Sequence, residues 1–227
     1  MPAYIDPTIG KAAEEELDEL ASQAPTVAFI VLDPDNGPGT APNEPYRVVV
    51  QRARRAGIEV YGYVDSAYAK RPVAEGLTDI EHWADWYDLR NIFFDQVTSS
   101  PRSLGYYLPL AERVHDQGGK VVFNPGIYPA EKYAHLADIT VTFEGSYADY
   151  RKQKQAKWAE DLPPERFWHL VYDTPERDHK DALALTRDRR AGYAYITDDT
   201  LPNPWDRLPP YWRSEIREVV GSNERCR

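Results

Sequence analysis

Eight times along this chain a short apolar run stops on a carboxylate or an amide. Ile5 is followed by Asp6, Leu32 by Asp33, Val64 by Asp65 and Phe94 by Asp95. Then come Phe123 with Asn124, Phe143 with Glu144, Tyr172 with Asp173, and Thr197 with Asp198 and Asp199. The second run, Thr26 to Leu32, is continuously apolar, as a strand buried on both faces must be. The stretches between runs carry their apolar residues at the helical period instead. Ala13, Leu17, Leu20 and Ala21 follow the first run, and Ile80, Trp83, Ala84 and Tyr87 follow the third. Gly57 and Gly118-Gly119 stand where two of these helices should end.

Alternating strand and helix points to a parallel sheet. Eight units in 227 residues is about 28 residues apiece, the scale of a compact barrel. A doubly wound sheet is the competing arrangement, but nothing after the first run resembles a glycine-rich dinucleotide turn. The expectation is therefore an α/β protein with one domain, a (β/α)8 TIM-type barrel over residues 1–220. Residues 221–227 read as a disordered tail. Pro34 to Gly39 should be a surface turn, and Tyr147 to Glu160 gives a weaker helical pattern.

A net charge of −10 argues against nucleic acid or an anionic membrane as partner. No apolar run approaches the ~20 residues needed to cross a bilayer. Cys226, the single cysteine, excludes an internal disulfide framework. The chain begins directly in strand-like sequence without a signal peptide, which fits a cytoplasmic protein or a mature secreted form. None of the five histidines stands at a predicted strand end or has zinc-ligand spacing. His82, His115, His135 and His179 read as helix residues, and His169 as a packed strand residue. The turns after the last two strands, Asp173-Thr-Pro-Glu176 and Asp198-Asp199, would repel a phosphate. No cofactor or resident metal is expected, and an oxygen-liganded divalent cation in the acidic ring is the lesser alternative.

In a parallel barrel the groups that do chemistry sit where strands run into helices, so these terminal acids would ring one mouth. For Asp6, Asp33, Asp173 and Asp198 helix capping competes with a role at that mouth. Asp95 and Glu144 stand out. Each ends an aromatic run, Glu is a poor cap, and Gly145-Ser146 leaves room beside the Glu144 carboxylate. Two acids in apolar surroundings have their pKa values driven apart, which is the division of labour glycoside hydrolysis requires. Tyrosines crowd the same strand ends: Tyr4, Tyr63, Tyr68, Tyr128, Tyr147, Tyr172 and Tyr195. Aromatic faces cover the apolar faces of sugars, while hydroxyls and carboxylates bind their alcohols.

Val60-Tyr-Gly-Tyr-Val-Asp-Ser-Ala-Tyr68 with Arg71-Pro72, Ile92-Phe-Phe-Asp95, Phe123-Asn-Pro-Gly126 and Phe143-Glu-Gly-Ser-Tyr147 together resemble the spherulation-specific (spherulin-four) family. Pro2-Ala-Tyr4 and Asn36-Gly-Pro-Gly39 also fit. The resemblance implies a (β/α)8-type barrel with endo-α-1,4-N-acetylgalactosaminidase activity on microbial galactosaminogalactan. It implies catalysis by the acids ending the fourth and sixth predicted strands, here Asp95 and Glu144. Where relatives carry a glutamate after the aspartate, this chain has Gln96, which cannot ionise, and Asp65 stands where a histidine is expected.

The resulting expectation is an endo-acting glycoside hydrolase on N-acetylgalactosamine- or galactosamine-containing exopolysaccharide. Asp95 is nucleophile or transition-state stabiliser, and Glu144 the general acid/base. Tyr4, Asp6, Tyr63, Asp65, Tyr68, Arg71, Gln96, Asn124, Tyr128, Tyr147 and Asp198 are candidates to bind the sugar. A partly deacetylated, cationic oligo- or polysaccharide would suit the acidic surface. The alternative, motivated by Gln96, is a carbohydrate-binding barrel of the same family that has lost catalysis.

Overall fold

The computed structural model describes residues 1–225. Seven strands form one parallel sheet whose spatial order follows the chain: β1 (Phe29–Leu32), β2 (Glu59–Asp65), β3 (Asn91–Asp95), β4 (Val121–Phe123), β5 (Ile139–Ser146), β6 (Phe167–Tyr172) and β7 (Tyr193–Ile196). The helices between and around them are α1 (Lys11–Ala21), α2 (Glu44–Ala56), α3 (Val73–Tyr87), α4 (Leu104–Asp116), α5 (Lys132–Leu136), α6 (Tyr147–Tyr150), α7 (His179–Asp188) and α8 (Trp212–Arg225). Right-handed crossovers in strict sequence put the helices on one face of the sheet. The other face must then bury itself against itself. Phe29 of β1 meets Trp168 of β6 and Tyr193 of β7, each with ring centroids 4.9 Å apart. The sheet has rolled until its two ends share a core.

The expected first strand is not a full strand. Residues 1–6 lie beside β1 through a single parallel bridge, Pro2 to Val31. Pro2 has no N–H to give a ladder, and the Tyr4 N–H is taken by the Trp205 carbonyl at 3.1 Å. Seven strands with this short segment beside them replace the complete eight-stranded barrel.

Helices fall where the apolar period placed them, with two differences. The weak pattern from Tyr147 to Glu160 yields only the four-residue α6 and a 3-10 turn at Lys157–Asp161. The Arg151-Lys-Gln-Lys-Gln155 run between them has no apolar stripe to bury. At the other end, α8 continues through Arg225, past the expected limit at Val220; Cys226 and Arg227 of the expected tail lie outside the described residues. Gly57 caps α2 in the left-handed conformation at φ 85°, as its position suggested. In the Pro34–Gly39 turn Asp35 and Asn36 are exposed, whereas Gly37 and Pro38 are buried beneath them.

Gly62, inside β2, has a different reason to be glycine. A Cβ there would stand 2.3 Å from the Trp83 ring, and Trp83 donates its indole N–H to the Tyr63 carbonyl at 2.8 Å. Helix α3 thus locks onto the strand that presents Tyr63.

Candidate active site

Strand alternation decides which side chains reach the inner surface. On β3, Phe94 turns outward against Phe123 while Phe93 and Asp95 turn inward, Phe93 meeting Trp168 and Tyr63. On β5, Phe143 packs outward with Tyr150, Val171 and Leu183, so Glu144 turns in. Between them β4 ends, and the next residue is the buried Asn124.

Asn124 ties the two acids together. Its Nδ2 donates to Asp95 Oδ1 at 2.7 Å and to Glu144 Oε2 at 2.5 Å. Those carboxylate oxygens are therefore no more than 5.2 Å apart, the two bonds laid end to end. The amide cannot be turned around, because its Oδ1 accepts the Gly126 backbone N–H at 3.0 Å. Gly126 makes that turn at φ 67°, a region natural to glycine, and its carbonyl accepts the Glu144 N–H at 2.9 Å.

Tyr63 completes the centre by donating its hydroxyl to Asp95 Oδ2 at 2.8 Å, and Tyr4 packs edge-on against Tyr63 with centroids 5.9 Å apart. Burial and the neighbouring carboxylates raise both phenols above their ordinary pKa, so they remain hydrogen-bond donors at any pH the fold meets.

The two acids differ in how their charge is supported. Burial raises both. Asp95, however, accepts from three donors, the Gln96 N–H, Tyr63 and Asn124, each of which favours the ionised form. Glu144 is pushed up to about 7, first by burial and then by the charge of Asp95, with Asn124 and the Trp205 side chain pulling the other way. The charge of Asp95 is thus supported by more donors than that of Glu144.

Other predicted residues sit near this centre in different roles. Asp65 pairs with Asp95 across the ladder and its Oδ1 accepts the Ala67 N–H at 2.7 Å. Gln96, at φ 50°, contributes backbone: its carbonyl accepts from the Tyr68 N–H and the Ser66 hydroxyl, both at 2.8 Å. Tyr68 is on the rim and largely exposed.

Five candidates are engaged elsewhere. Asp6 accepts the Thr8 N–H at 2.8 Å in a local turn. Arg71 braces the loop after β2, bonding Asp79 at 2.6 Å and Glu75 and the Asp65 carbonyl at 3.1 Å. Asp198 is held by Arg207 at 3.0 Å. Tyr128 packs on Trp158 with centroids 5.9 Å apart, in the field of Arg189 beyond the end of α7. Tyr147 is buried in the cluster beneath α7, under the Arg151 guanidinium. Tyr128 lies in the loop beyond β4 and Tyr147 opens α6 directly after β5, where alternation no longer sets direction.

Two groups outside the candidate set join the site, one of them Asp33, a strand-end acid that capping also explained. Trp205, in the loop after β7, reaches Glu144 and packs on Tyr172 and Tyr195; its only signal was a tryptophan in a proline-rich loop. Asp33, after β1, is raised to about 6 by burial and then by Asp95, Asp35 and Asp65, against the Gly37 N–H that it accepts at 2.7 Å. Among the described residues no cluster of histidine, cysteine and acid side chains is arranged to hold a metal. His169 is a core residue between the Tyr150 hydroxyl at 2.6 Å and Thr142 at 3.0 Å, and burial lowers it to about 3. A separate cavity of about 180 Å³ lies near the opposite ends of the strands, lined by residues including Phe29, Trp168 and Glu215.

The chain matches the spherulation-specific family 4 over residues 1–219. It is 28% identical to Spherulin-4 of Physarum polycephalum over 169 residues, 72% of this chain and 49% of that protein. The chain thus spans about half the length of that curated relative. Its fold is similar to Aspergillus clavatus Sph3, solved in complex with GalNAc, with a TM-score of 0.81, 25% identity, and coverage of 96% of this chain and 95% of that one. The Bacillus cereus spore cortex-lytic enzyme SleL and the Rhizomucor miehei chitinase RmChi1 share the fold at 11% identity, with TM-scores of 0.61 and 0.56. Each match covers 96% of this chain, and 73% and 99% respectively of those structures. The fold is thus one found in glycoside hydrolases, and this chain belongs to the spherulation-specific family 4.

Proposed function

We propose that this protein is a glycoside hydrolase that cuts within polysaccharides containing N-acetylgalactosamine or galactosamine. The observation that carries the reading is the pair Asp95 and Glu144 on one amide, with carboxylate oxygens at most 5.2 Å apart. Retaining glycosidases place their carboxyl groups about 5–5.5 Å apart, and inverting ones leave about 6.5–9.5 Å for a water. The narrow spacing supports retention.

In the first step Glu144 gives its proton to the glycosidic oxygen as that bond breaks. The Asp95 carboxylate meets the anomeric carbon, forming an ester or stabilising the developing positive charge. A water then attacks from the vacated side, Glu144 takes its proton, and the sugar leaves with its original configuration. Tyr63 and Asn124 keep Asp95 ionised for the first step and stabilise the carboxylate that the second step releases. The likeness to a structure holding GalNAc and the family resemblance point to an amino sugar, and the net charge of −10 favours a partly deacetylated, cationic polymer.

The competing reading, a binding barrel without catalysis, rests on the Gln96 side chain. The support Gln96 provides comes from its backbone N–H and carbonyl, which any residue could supply, and the acid pair is complete without it. The test is reducing-end release from galactosamine-rich exopolysaccharide by wild type, Asp95→Asn and Glu144→Gln. Loss of at least about a hundredfold in either variant is expected; equal rates in all three would remove the assignment. Binding without turnover in wild type, with activity gained in Gln96→Glu, would instead establish the binding barrel.

A further inference from the structure

The loop after β2 holds an unusual backbone. Three successive residues, Ala67, Tyr68 and Ala69, have φ of 45°, 54° and 62°. L-residues are sterically disfavoured in this region, and a run of them persists only where the surroundings impose it. The surroundings here are extensive. The Ser66 hydroxyl bonds the carbonyls of Asp95 and Gln96, both at 2.8 Å. The Tyr68 N–H bonds the Gln96 carbonyl at 2.8 Å. From the other side Arg71 grips the Asp65 carbonyl at 3.1 Å and is itself fixed by Asp79 at 2.6 Å.

All of this bracing holds out one large side chain. Tyr68 is 55% exposed, and among the described residues its side chain has no hydrogen bond or ring contact. It therefore contributes neither to the core nor to the bracing itself. Its backbone is pinned to Gln96, the neighbour of Asp95, so the side chain is presented from a fixed point of the rim. A solvent-facing phenol ring carried on a braced backbone is suited to the apolar face of a pyranose.

We propose that Tyr68 is a platform for a second sugar ring of the substrate, next along the chain from the ring held over Asp95 and Glu144. Its role rests on the glycosidase reading above and adds to it a basis for preferring polymer over short glycosides. A ring bound there is held equally in ground and transition states, so the contact lowers KM for long chains and leaves kcat to the acids.

The test compares kcat and KM for N-acetylgalactosamine oligomers of increasing length, together with calorimetric binding of the longest oligomer to the Glu144→Gln protein. In Tyr68→Ala the preference for long over short oligomers is expected to fall about tenfold, through KM. Tyr68→Phe should restore it, because the ring and not the hydroxyl does the work. Leu108→Ser, which trims an apolar side chain 45% exposed on α4, should keep the wild-type preference. If Tyr68→Ala keeps that preference, or loses kcat equally at every length, the platform is overturned while the glycosidase stands. If wild type cleaves none of the series and Glu144→Gln binds none, the carbohydrate reading itself falls, and the platform with it.

Discussion

Tyr63 and Asp95, on neighbouring strands, are joined by a 2.8 Å hydrogen bond from phenol to carboxylate. Because it favours the charged acid, this bond lowers the Asp95 pKa against the burial that raises it. Tyr63→Phe removes the donor and leaves the ring. The Asp95 pKa should rise, and the acidic limb of kcat/KM should move to higher pH, since activity needs Asp95 ionised. A hydrogen bond to a charged group is worth about 1.5–3 kcal/mol, so kcat/KM at neutral pH should fall roughly ten- to hundredfold. A pH–rate profile with an unmoved acidic limb would show that Asp95 is not the group being titrated.

Asn124 is expected to be the least replaceable residue after the acids. Asn124→Ala takes one donor from each carboxylate at once. Both should become harder to ionise, and the pair should titrate as one coupled unit. Asn124→Asp is harsher, placing a third carboxyl within hydrogen-bond reach of the other two. Both variants should lose at least about a hundredfold in kcat/KM, and the loss in Asn124→Ala should be greatest on the acid side. Near-normal rates in both would mean that the bridging amide plays no part in the chemistry.

Much of this centre could be read from the chain, for a physical reason. Within a strand, side-chain direction is set by parity, so an acid ending an apolar run inherits a known face. Asp95, Glu144, Tyr63 and Asn124 were legible on that basis. Parity stops at the strand end, and there the reading failed. Tyr128 and Tyr147 are on loops or helix starts, where local turns aimed them at the helix layer. Asp198 was claimed by Arg207, and Arg71 by Asp79, and a choice among charged partners leaves no periodic trace. Trp205 was hidden for the same reason, since the proline-rich loop that carries it has no period at all. The missing strand is a composition effect: Pro2 removes a donor from a segment only a few residues long, too little to make a ladder.

Trp205→Phe should move the other limb of the pH profile. The Trp205 side chain supports the charged form of Glu144, whereas phenylalanine keeps an aromatic body against Tyr172 and Tyr195 without the N–H. The Glu144 pKa should therefore rise above its present value of about 7. The acid form would survive to higher pH, shifting the alkaline limb of kcat/KM upward while the acidic limb stays in place. Movement of the acidic limb instead would reverse the roles given to the two carboxyls.

A last prediction concerns stability and is independent of the acid pair. Glu215, on α8, is fully buried and raised to about 8 by that burial, against the Ile196 N–H and the nearby Met1 amino group. Its Oε1 accepts the Ile196 N–H at 3.2 Å, and its Oε2 has no hydrogen-bond partner among the described residues. The folded protein thus keeps a proton that the unfolded chain gives up near 4.5. The native state binds more protons between these values, so the contribution of Glu215 is complete below pH 4.5 and is lost as pH rises towards 8. The Met1 amino group, lowered to about 4 by burial, has the opposite slope, but it is present in both proteins of the comparison. Glu215→Gln keeps an acceptor for Ile196 and cannot ionise. The variant should match wild type near pH 5 and exceed it at pH 8, by on the order of a few kcal/mol. Denaturant melts at the two pH values measure this directly, and a pH-independent difference would mean that Glu215 does not hold its proton in the folded state.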